Sequence, residues 1–226
     1  MEYVESNNYN KNFNIGRYIS GGIDLFKKDP SGIFGAFILV LIMSLIPFCS
    51  LLAVGNFYKV CRDVETHGKA DSGKIFNFDD FVPYLKFMFL LFIVVFVMII
   101  PIPVFLFPIS LLTSDESGTV SNINAAMVAG GFGFFILFYL VFLFVISIAT
   151  YYFIPLVALK RSHDVRKNIS ISWTLAKKDF FSIFVFIIIS GFLSQLGILA
   201  CGIGLFLTIP IALCMRYKSF EKILSL

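Results

Sequence analysis

Few residues in this chain could do chemistry, and they lie in its polar segments. The two histidines are His67 and His163, and three acidic residues, Asp79, Asp80 and Asp164, complete the candidate set. Imidazole and carboxylate groups together can bind a metal ion or transfer protons. Their spacing matches no H-E-x-x-H or comparable motif, so we expect solvated loop residues, with the Asp79-Asp80 pair beginning a helix. The sequence predicts no catalytic, cofactor-binding or metal-binding residue, and a protein that is not an enzyme.

The elements that carry these residues are strongly apolar. The chain has 226 residues, of which 58% are hydrophobic and 14% charged, whereas soluble domains average about 45–50% and about 25%. A helix needs roughly 20 apolar residues to cross a bilayer, and continuous runs indicate helices rather than the alternating strands of a barrel. We therefore predict an all-α, polytopic transmembrane helix bundle. Uncharged stretches occupy residues 30–58, 87–112, 117–159 and 180–215.

The basic residues predict the orientation of the chain. Every Lys and Arg falls in one of four patches, at residues 1–29, 59–86, 160–179 and 216–222. The loop at 113–124 has no basic residue and contains Asp115 and Glu116. Because cytoplasmic loops accumulate Lys and Arg, we place this loop outside. We place both termini in the cytoplasm, in a multi-pass protein of the bacterial cytoplasmic (inner) membrane.

About six membrane segments are expected within one transmembrane domain, 15–226, which follows a polar N-terminal tail, 1–14. The region 30–58 is too short for two full crossings, since 29 residues reach about 43 Å at 1.5 Å per residue. It forms either a re-entrant helical hairpin broken at Pro47, which the basic N-terminal patch favours, or one kinked span that places the N-terminus outside. The segments are expected at about 31–46, 48–62, 84–112, 125–159, 180–200 and 203–220.

An internal repeat is visible in the sequence. Residues 19–38 and 169–188 align without gaps at an offset of 150, with nine identities in twenty positions. Each copy has an amphipathic segment that leads through Lys-Lys-Asp into an apolar hairpin region. Such segments suit helices in the headgroup layer, with basic residues toward lipid phosphates and Trp as an anchor. The candidate contacts with membrane lipids, including anionic ones, are Arg17, Lys28, Lys167, Trp173 and Lys178.

In the first third of the chain, an Ile-Pro break leads to a Gly, then to an arm ending near Arg-x-Val…Gly, then to an acidic-aromatic segment. This pattern resembles an uncharacterised family of small multi-pass membrane proteins of bacteria and archaea. Asn56 stands where that family has Tyr directly after the Gly, and Tyr58 is displaced. The resemblance implies a membrane fold and no activity. It is carried by Ile46, Pro47, Gly55, Arg62, Val64, Gly68, Phe78, Asp79, Asp80 and Phe81.

The later part of the chain has a Pro, then Ser-Trp-x-Leu, then a basic-aromatic entry into the next span, and ends in a Gly-rich C-terminal hairpin. This pattern is similar to membrane domains that accompany glycerophosphodiester phosphodiesterases and to related stand-alone proteins. This resemblance implies a membrane fold and assigns no activity. The pattern is carried by Pro155, Ser172, Trp173, Leu175, Lys177 and Phe180.

The sequence therefore predicts a non-enzymatic integral membrane protein that acts as a structural or partner-binding component. Its expected partners are membrane lipids and either another membrane protein or a second copy of the chain, without nucleic acid and without a cofactor. The alternative is a transporter or binding protein for lipid or a small hydrophobic substrate.

Overall fold

The fold is built from helices throughout the part of the chain that the structure describes, confirming the all-α prediction. The structure is a computed structural model that describes residues 13–100, 122–199 and 204–224. These residues form nine α-helices and one 3-10 turn, and no strand. The helices are α1 (Ile15–Lys28), α2 (Pro30–Ser44), α3 (Ser50–His67), α4 (Phe81–Ile99), α5 (Asn122–Ala149), α6 (Phe153–Lys160), α7 (Val165–Lys178), α8 (Phe180–Leu199) and α9 (Leu205–Leu224), with the 3-10 turn at Ser72–Phe76.

The chain divides into two compact units. The first combines Met1–Leu85 with Ile148–Leu226, and the second is Lys86–Ser147. The second unit contains most of α4 and α5, whereas the other helices belong to the first. The end of the predicted segment 84–112 and most of the predicted outer loop fall in 101–121, outside the described residues.

Two helical stretches are long and apolar enough to cross a membrane. They are Phe81–Ile99 and Gly133–Lys160, the second of which includes the turn at residues 150–152. The helix α2 is apolar but has only 15 residues, which span roughly 22 Å against a hydrocarbon layer of about 30 Å. By length and composition, the described helices thus give two candidate spans, fewer than the six predicted segments.

The region 30–58 forms a helix, a turn and a second helix. The helix α2 ends at Ser44 and α3 begins at Ser50, and Phe48 in the turn has a φ of 66°. Asp29, before α2, accepts a hydrogen bond from the backbone N–H of Ala70, beyond the end of α3, at 2.9 Å. The two helices therefore run antiparallel. Of the two alternatives for this region, the structure has the two-armed hairpin.

The internal repeat is visible in the helix boundaries. The helices α1 and α7 both have 14 residues, and their limits differ by the offset of 150 found in the sequence. Asn14 accepts a hydrogen bond from the N–H of Arg17 at 3.1 Å, and Asp164 accepts one from the N–H of Lys167 at 3.2 Å. The two copies therefore begin with the same side-chain cap, a device that satisfies a free N–H of the first helical turn.

The apolar face of α1 packs against protein, which differs from the predicted position in the headgroup layer. Tyr18 forms a buried cluster with Phe186 of α8 and Met215 of α9, and Ile19 is among the residues packed on this cluster. Gly22 is buried against Met215, where a Cβ would lie 2.5 Å from the Met215 Cα. Because Gly22 has no side chain, α1 and α9 can approach closely enough for α9 to cover the apolar face of α1. The helix α1 is therefore part of the core of the first unit.

Glu65 of α3 joins three helices of the first unit. Its carboxylate accepts a hydrogen bond from the Tyr217 hydroxyl at 2.9 Å and forms an ion pair with Lys218, both on α9. Its backbone carbonyl accepts a hydrogen bond from Lys28 of α1 at 3.5 Å. The ends of α1, α3 and α9 are thus held together at one point.

Candidate functional site

A polar cavity of about 200 Å³ lies in the first unit. Three segments form its walls: the second half of α3, the 3-10 turn with its connection to α4, and the loop between α6 and α7. Most of its lining side chains are charged, in a chain with few charged residues, so it is the candidate site. The cavity is lined by Lys59, Arg62, Lys74, Asn77, Asp79, Asp80, Arg161 and His163.

Asn56 fixes the connection after the 3-10 turn against α3. Its side-chain amide is fully buried and donates to the carbonyl oxygen of Ile75 at 2.9 Å and to that of Asn77 at 2.7 Å. Lys59 and Arg62 follow Asn56 on α3 at intervals of three residues, a spacing that keeps side chains on neighbouring positions of one helix surface. The amide thus aligns two walls of the cavity.

A close contact brings the third wall into place. A Cβ on Gly55 would collide with the ring and hydroxyl of Tyr84, so glycine is required for α3 and the start of α4 to approach. The Tyr84 hydroxyl then donates to the carbonyl oxygen of Ile154 in α6 at 3.0 Å. The loop that follows α6 is thereby held beside α3 and the beginning of α4.

Ion pairs link the walls. Lys59 Nζ lies 2.6 Å from Asp80 Oδ2, and both side chains are largely buried. His163 Nε2 lies 3.5 Å from the other oxygen of Asp80. Lys74 Nζ lies 2.6 Å from Asp63 Oδ2. The two lysines are therefore each matched by a carboxylate, and Asp80 faces groups from both other walls.

The two arginines differ from the lysines because no carboxylate in the described residues lies within 4.0 Å of either. Arg62 makes one long hydrogen bond, from Nη1 to the carbonyl oxygen of Leu159 at 3.5 Å. Arg161 ends α6 in the left-handed region, with a φ of 51°. The Asn77 side-chain amide donates to Asp79 Oδ2 at 3.0 Å, and Asn77 Oδ1 accepts a hydrogen bond from the backbone N–H of Asp79 at 2.7 Å. The two arginines therefore face one remaining carboxylate of the lining, that of Asp79.

The structure brings together three of the five residues considered as a chemical set. His163, Asp79 and Asp80 line the cavity. His67 and Asp164 are not part of the lining. His67 Nδ1 instead forms a hydrogen bond with the Thr66 hydroxyl at 2.8 Å, and Asp164 caps α7. The prediction that the Asp79-Asp80 pair begins a helix is confirmed, since α4 starts at Phe81. No group of three metal-ligating side chains occurs within the described ranges.

The basic residues of the cavity carry no local motif that assigns them to a site. The signal in the sequence is the pair of basic patches at 59–86 and 160–179, which are predicted to lie on the same side of the membrane. The structure shows that these two patches meet at the cavity. They contribute Lys59, Arg62, Lys74 and Arg161.

The candidate lipid-headgroup residues lie elsewhere. All five are exposed, and none belongs to the cavity lining. Trp173 is 37% exposed, with the Lys177 ammonium group 4.7 Å from its ring centroid. They form surface positions on α1 and α7, namely Arg17, Lys28, Lys167, Trp173 and Lys178.

Comparison with protein families places this site within a family match. The family described as "Protein of unknown function (DUF4013)" matches residues 38–209, about three quarters of the chain, and this range includes every residue of the cavity. Searches of curated proteins and of solved structures found no match. The extent of the family match shows that the chain belongs to the DUF4013 family.

Proposed function

We propose that the chain is a multi-pass protein of the bacterial cytoplasmic membrane. It has about six membrane segments, both termini in the cytoplasm, and a non-enzymatic role as a structural or partner-binding component. The two long apolar stretches support the membrane location. The four basic patches, which include the cavity loops, support the orientation, because basic loops stay in the cytoplasm.

The observation that carries this proposal is the exposed apolar surface of the second unit. Phe92 of α4 is 66% exposed and Phe134 of α5 is 69% exposed. Soluble proteins rarely expose large contiguous apolar patches, and such patches mark membrane or protein contacts. Lipid tails and partner helices are therefore the neighbours that this unit requires. Further exposed apolar side chains of the unit include Phe89, Ile93, Phe96, Val97, Leu137, Phe138 and Leu140.

Small residues on α5 support helix association. A Cβ built on Gly130 or Gly133 meets no described atom within 4 Å, and these two positions share a face of the helix because they are three residues apart. Small residues on such a face allow another transmembrane helix to approach closely. A membrane protein partner or a second copy of the chain would supply that helix.

The orientation can be tested by cysteine labelling in a version of the protein without its native cysteines. An impermeant maleimide added to intact cells should label Ser117→Cys and should leave Ser162→Cys unlabelled until the cells are permeabilised. Labelling of Ser162→Cys in intact cells would contradict the orientation. Recovery of the chain in the supernatant without detergent would contradict its membrane location.

Partner binding is tested by extraction of the tagged protein from native membranes in mild detergent. We expect a co-purifying membrane protein or a homo-oligomer, and substitution of Gly130 and Gly133 by Leu should remove it. A strictly monomeric protein without a co-purifying partner would contradict the structural or partner-binding role.

The alternative function is a transporter or binding protein for lipid or a small hydrophobic substrate. The matched limits of α1 and α7 favour it, because many transporters contain internal repeats. The resemblance to membrane domains that accompany lipid-processing phosphodiesterases also supports it. Liposomes containing the purified chain should then move a fluorescent phospholipid between leaflets, and movement equal to that in protein-free liposomes would exclude this substrate.

A further inference from the structure

We propose that the polar cavity binds a phosphate-type oxyanion, held between the guanidinium groups of Arg62 and Arg161. This inference goes beyond the proposed function and does not depend on whether the chain has a protein partner. The ligand class is a phosphate group, either on a lipid headgroup or on a small soluble molecule.

The balance of charge around the cavity indicates an anion. Four basic residues line it against two carboxylates. Lys59 pairs with Asp80, and Lys74 pairs with Asp63 and lies 3.9 Å from Asp71. The two guanidinium groups are left against one carboxylate of the lining, that of Asp79. Two guanidinium groups against one carboxylate favour an anion over a metal cation at this point of the cavity.

The residue type favours phosphate. A guanidinium group is planar, always charged, and presents five N–H donors in a fork that matches phosphate oxygens. Arg62 uses one donor in a long hydrogen bond of 3.5 Å to a carbonyl, so it keeps donors for a ligand. Hydrogen bonds from guanidinium to phosphate are stronger than those to a neutral carbonyl, and a phosphate would therefore compete well for Arg62.

The backbone of Arg161 is the second observation. Its φ of 51° lies in the left-handed region, at the end of α6, where glycine is the usual residue. An arginine there is strained, and strained residues cluster at ligand-binding sites. Arg161 lines the cavity together with Arg62 of α3. The two groups come from separate walls, so a bound oxyanion would join them.

The Asp79 carboxylate is the main opposing group. One of its oxygens, Oδ2, accepts a hydrogen bond from the Asn77 side-chain amide at 3.0 Å, which holds the carboxylate toward Asn77. His163 beside Asp80 adds a further positive charge whenever it is protonated. Asp79 and Asp80 also immediately precede α4, a candidate span. On the proposed topology the cavity therefore lies near the cytoplasmic headgroups, where phosphate is abundant.

The test uses the purified full-length chain and two probes. The first probe is inorganic phosphate, titrated into the protein in detergent and followed by calorimetry. The second is phosphatidic acid in phosphatidylcholine nanodiscs, followed as lipid retained in native mass spectrometry. We expect saturable binding of at least one probe, weakened about tenfold or more by Arg62→Gln and by Arg161→Asn. Asparagine is chosen because it tolerates the left-handed region.

A matched control is Arg166→Gln, which removes an exposed arginine outside the cavity and should change binding less than about twofold. Arg62→Lys keeps the charge without the fork, and should weaken binding while the unfolding midpoint without probe stays unchanged, which separates ligand contact from folding. Phosphate binding identifies a soluble ligand, whereas retention of phosphatidic acid alone identifies a headgroup. Absence of saturable binding of both probes, or equal losses in the cavity variants and Arg166→Gln, would overturn the proposal.

Discussion

The two copies of the internal repeat begin alike and pack differently. The helices α1 and α7 have equal lengths, the same kind of side-chain cap, and the same Lys-Lys-Asp exit into the next helix. The apolar face of α1 is covered by α8 and α9. The helix α7 instead contacts the turn between α5 and α6 through hydrogen bonds of Ser172, to the carbonyl oxygen of Ala149 at 2.7 Å and from the N–H of Tyr152 at 3.2 Å.

Equivalent positions show the difference most clearly. Gly22 of α1 and Ser172 of α7 are related by the offset of 150, and both are buried. Gly22 lets a neighbouring backbone approach, whereas Ser172 supplies a hydroxyl group to backbone atoms. The caps and the Lys-Lys-Asp sequence therefore set where each helix begins and ends. The neighbours of the helix decide how its buried face is used.

The largest effect is expected for Gly22→Ala. The added Cβ would lie 2.5 Å from backbone atoms of Met215, so α1 and α9 must separate, at a cost of about 2–3 kcal/mol. Thermal unfolding of the purified protein in detergent measures it. The control is Gly21→Ala, whose Cβ would meet only the Lys218 side chain at 3.5 Å, and which should be neutral or stabilising by up to about 1 kcal/mol. Equal stability of the two variants would show that the close approach is unimportant.

Ser172→Ala should have the next largest effect. It removes the hydroxyl from two buried backbone groups at the turn before α6, and unsatisfied buried groups cost about 1–2 kcal/mol. The control is Ser170→Ala, at an exposed serine of the same helix, which should change the free energy of unfolding by no more than about 0.5 kcal/mol in the same measurement. A Ser172 variant as stable as the Ser170 variant would remove the distinction drawn between the two copies.

Asp29→Ala tests the cap of α2 and its dependence on pH. Hydrogen bonds from the N–H groups of Ala70 and Gly32 lower the pKa of the Asp29 carboxyl. A lowered pKa in the folded state contributes stability above the unfolded value, and this is lost as pH falls through the folded value. We expect a loss of about 1 kcal/mol at neutral pH that diminishes in acid below the ordinary value of 3.8. Asp24→Ala, at an exposed site, is the control, and a pH-independent difference would contradict this role.

The smallest effects are expected at the exposed basic residues of both copies. Arg17 and Lys167 are related by the offset of 150. Replacing either residue by Gln should weaken the binding of anionic lipid by no more than about 1 kcal/mol. The ratio of phosphatidylglycerol to phosphatidylcholine retained by the protein in native mass spectrometry measures this. Lys69→Gln, an exposed residue between helices, is the control. Unchanged ratios in both variants would exclude these residues as headgroup contacts.

Local signals in the sequence predicted the all-α fold and several boundaries. The break near Pro47, the start of α4 after Asp80 and the Lys-Lys-Asp exits of α1 and α7 all depend on residues close together in the chain, which is why the sequence could predict them. The apolar periodicity of α1 was also read correctly. The sequence did not show that protein covers this face of α1, because an apolar face fits a membrane surface and a protein core equally well.

The cavity could not be predicted in the same way. Arg62 and Arg161 are separated by nearly a hundred positions, and their meeting depends on contacts such as that of Tyr84 with Ile154, between helices distant in sequence. No local pattern reports such a contact. The basic patches predict that these residues lie on the same side of the membrane, and the packing of Gly55 against Tyr84 shows why they share one cavity.

The junction at Glu65 has a consequence for biogenesis. The first unit is completed by chain segments on either side of Lys86–Ser147, and α1, synthesised early, meets α9, the last of the described helices. During translation, the contact of α1 with α9 therefore cannot form until α9 has emerged from the ribosome. Contacts between residues so far apart in sequence form slowly, so this packing is among the last steps in the folding of the first unit.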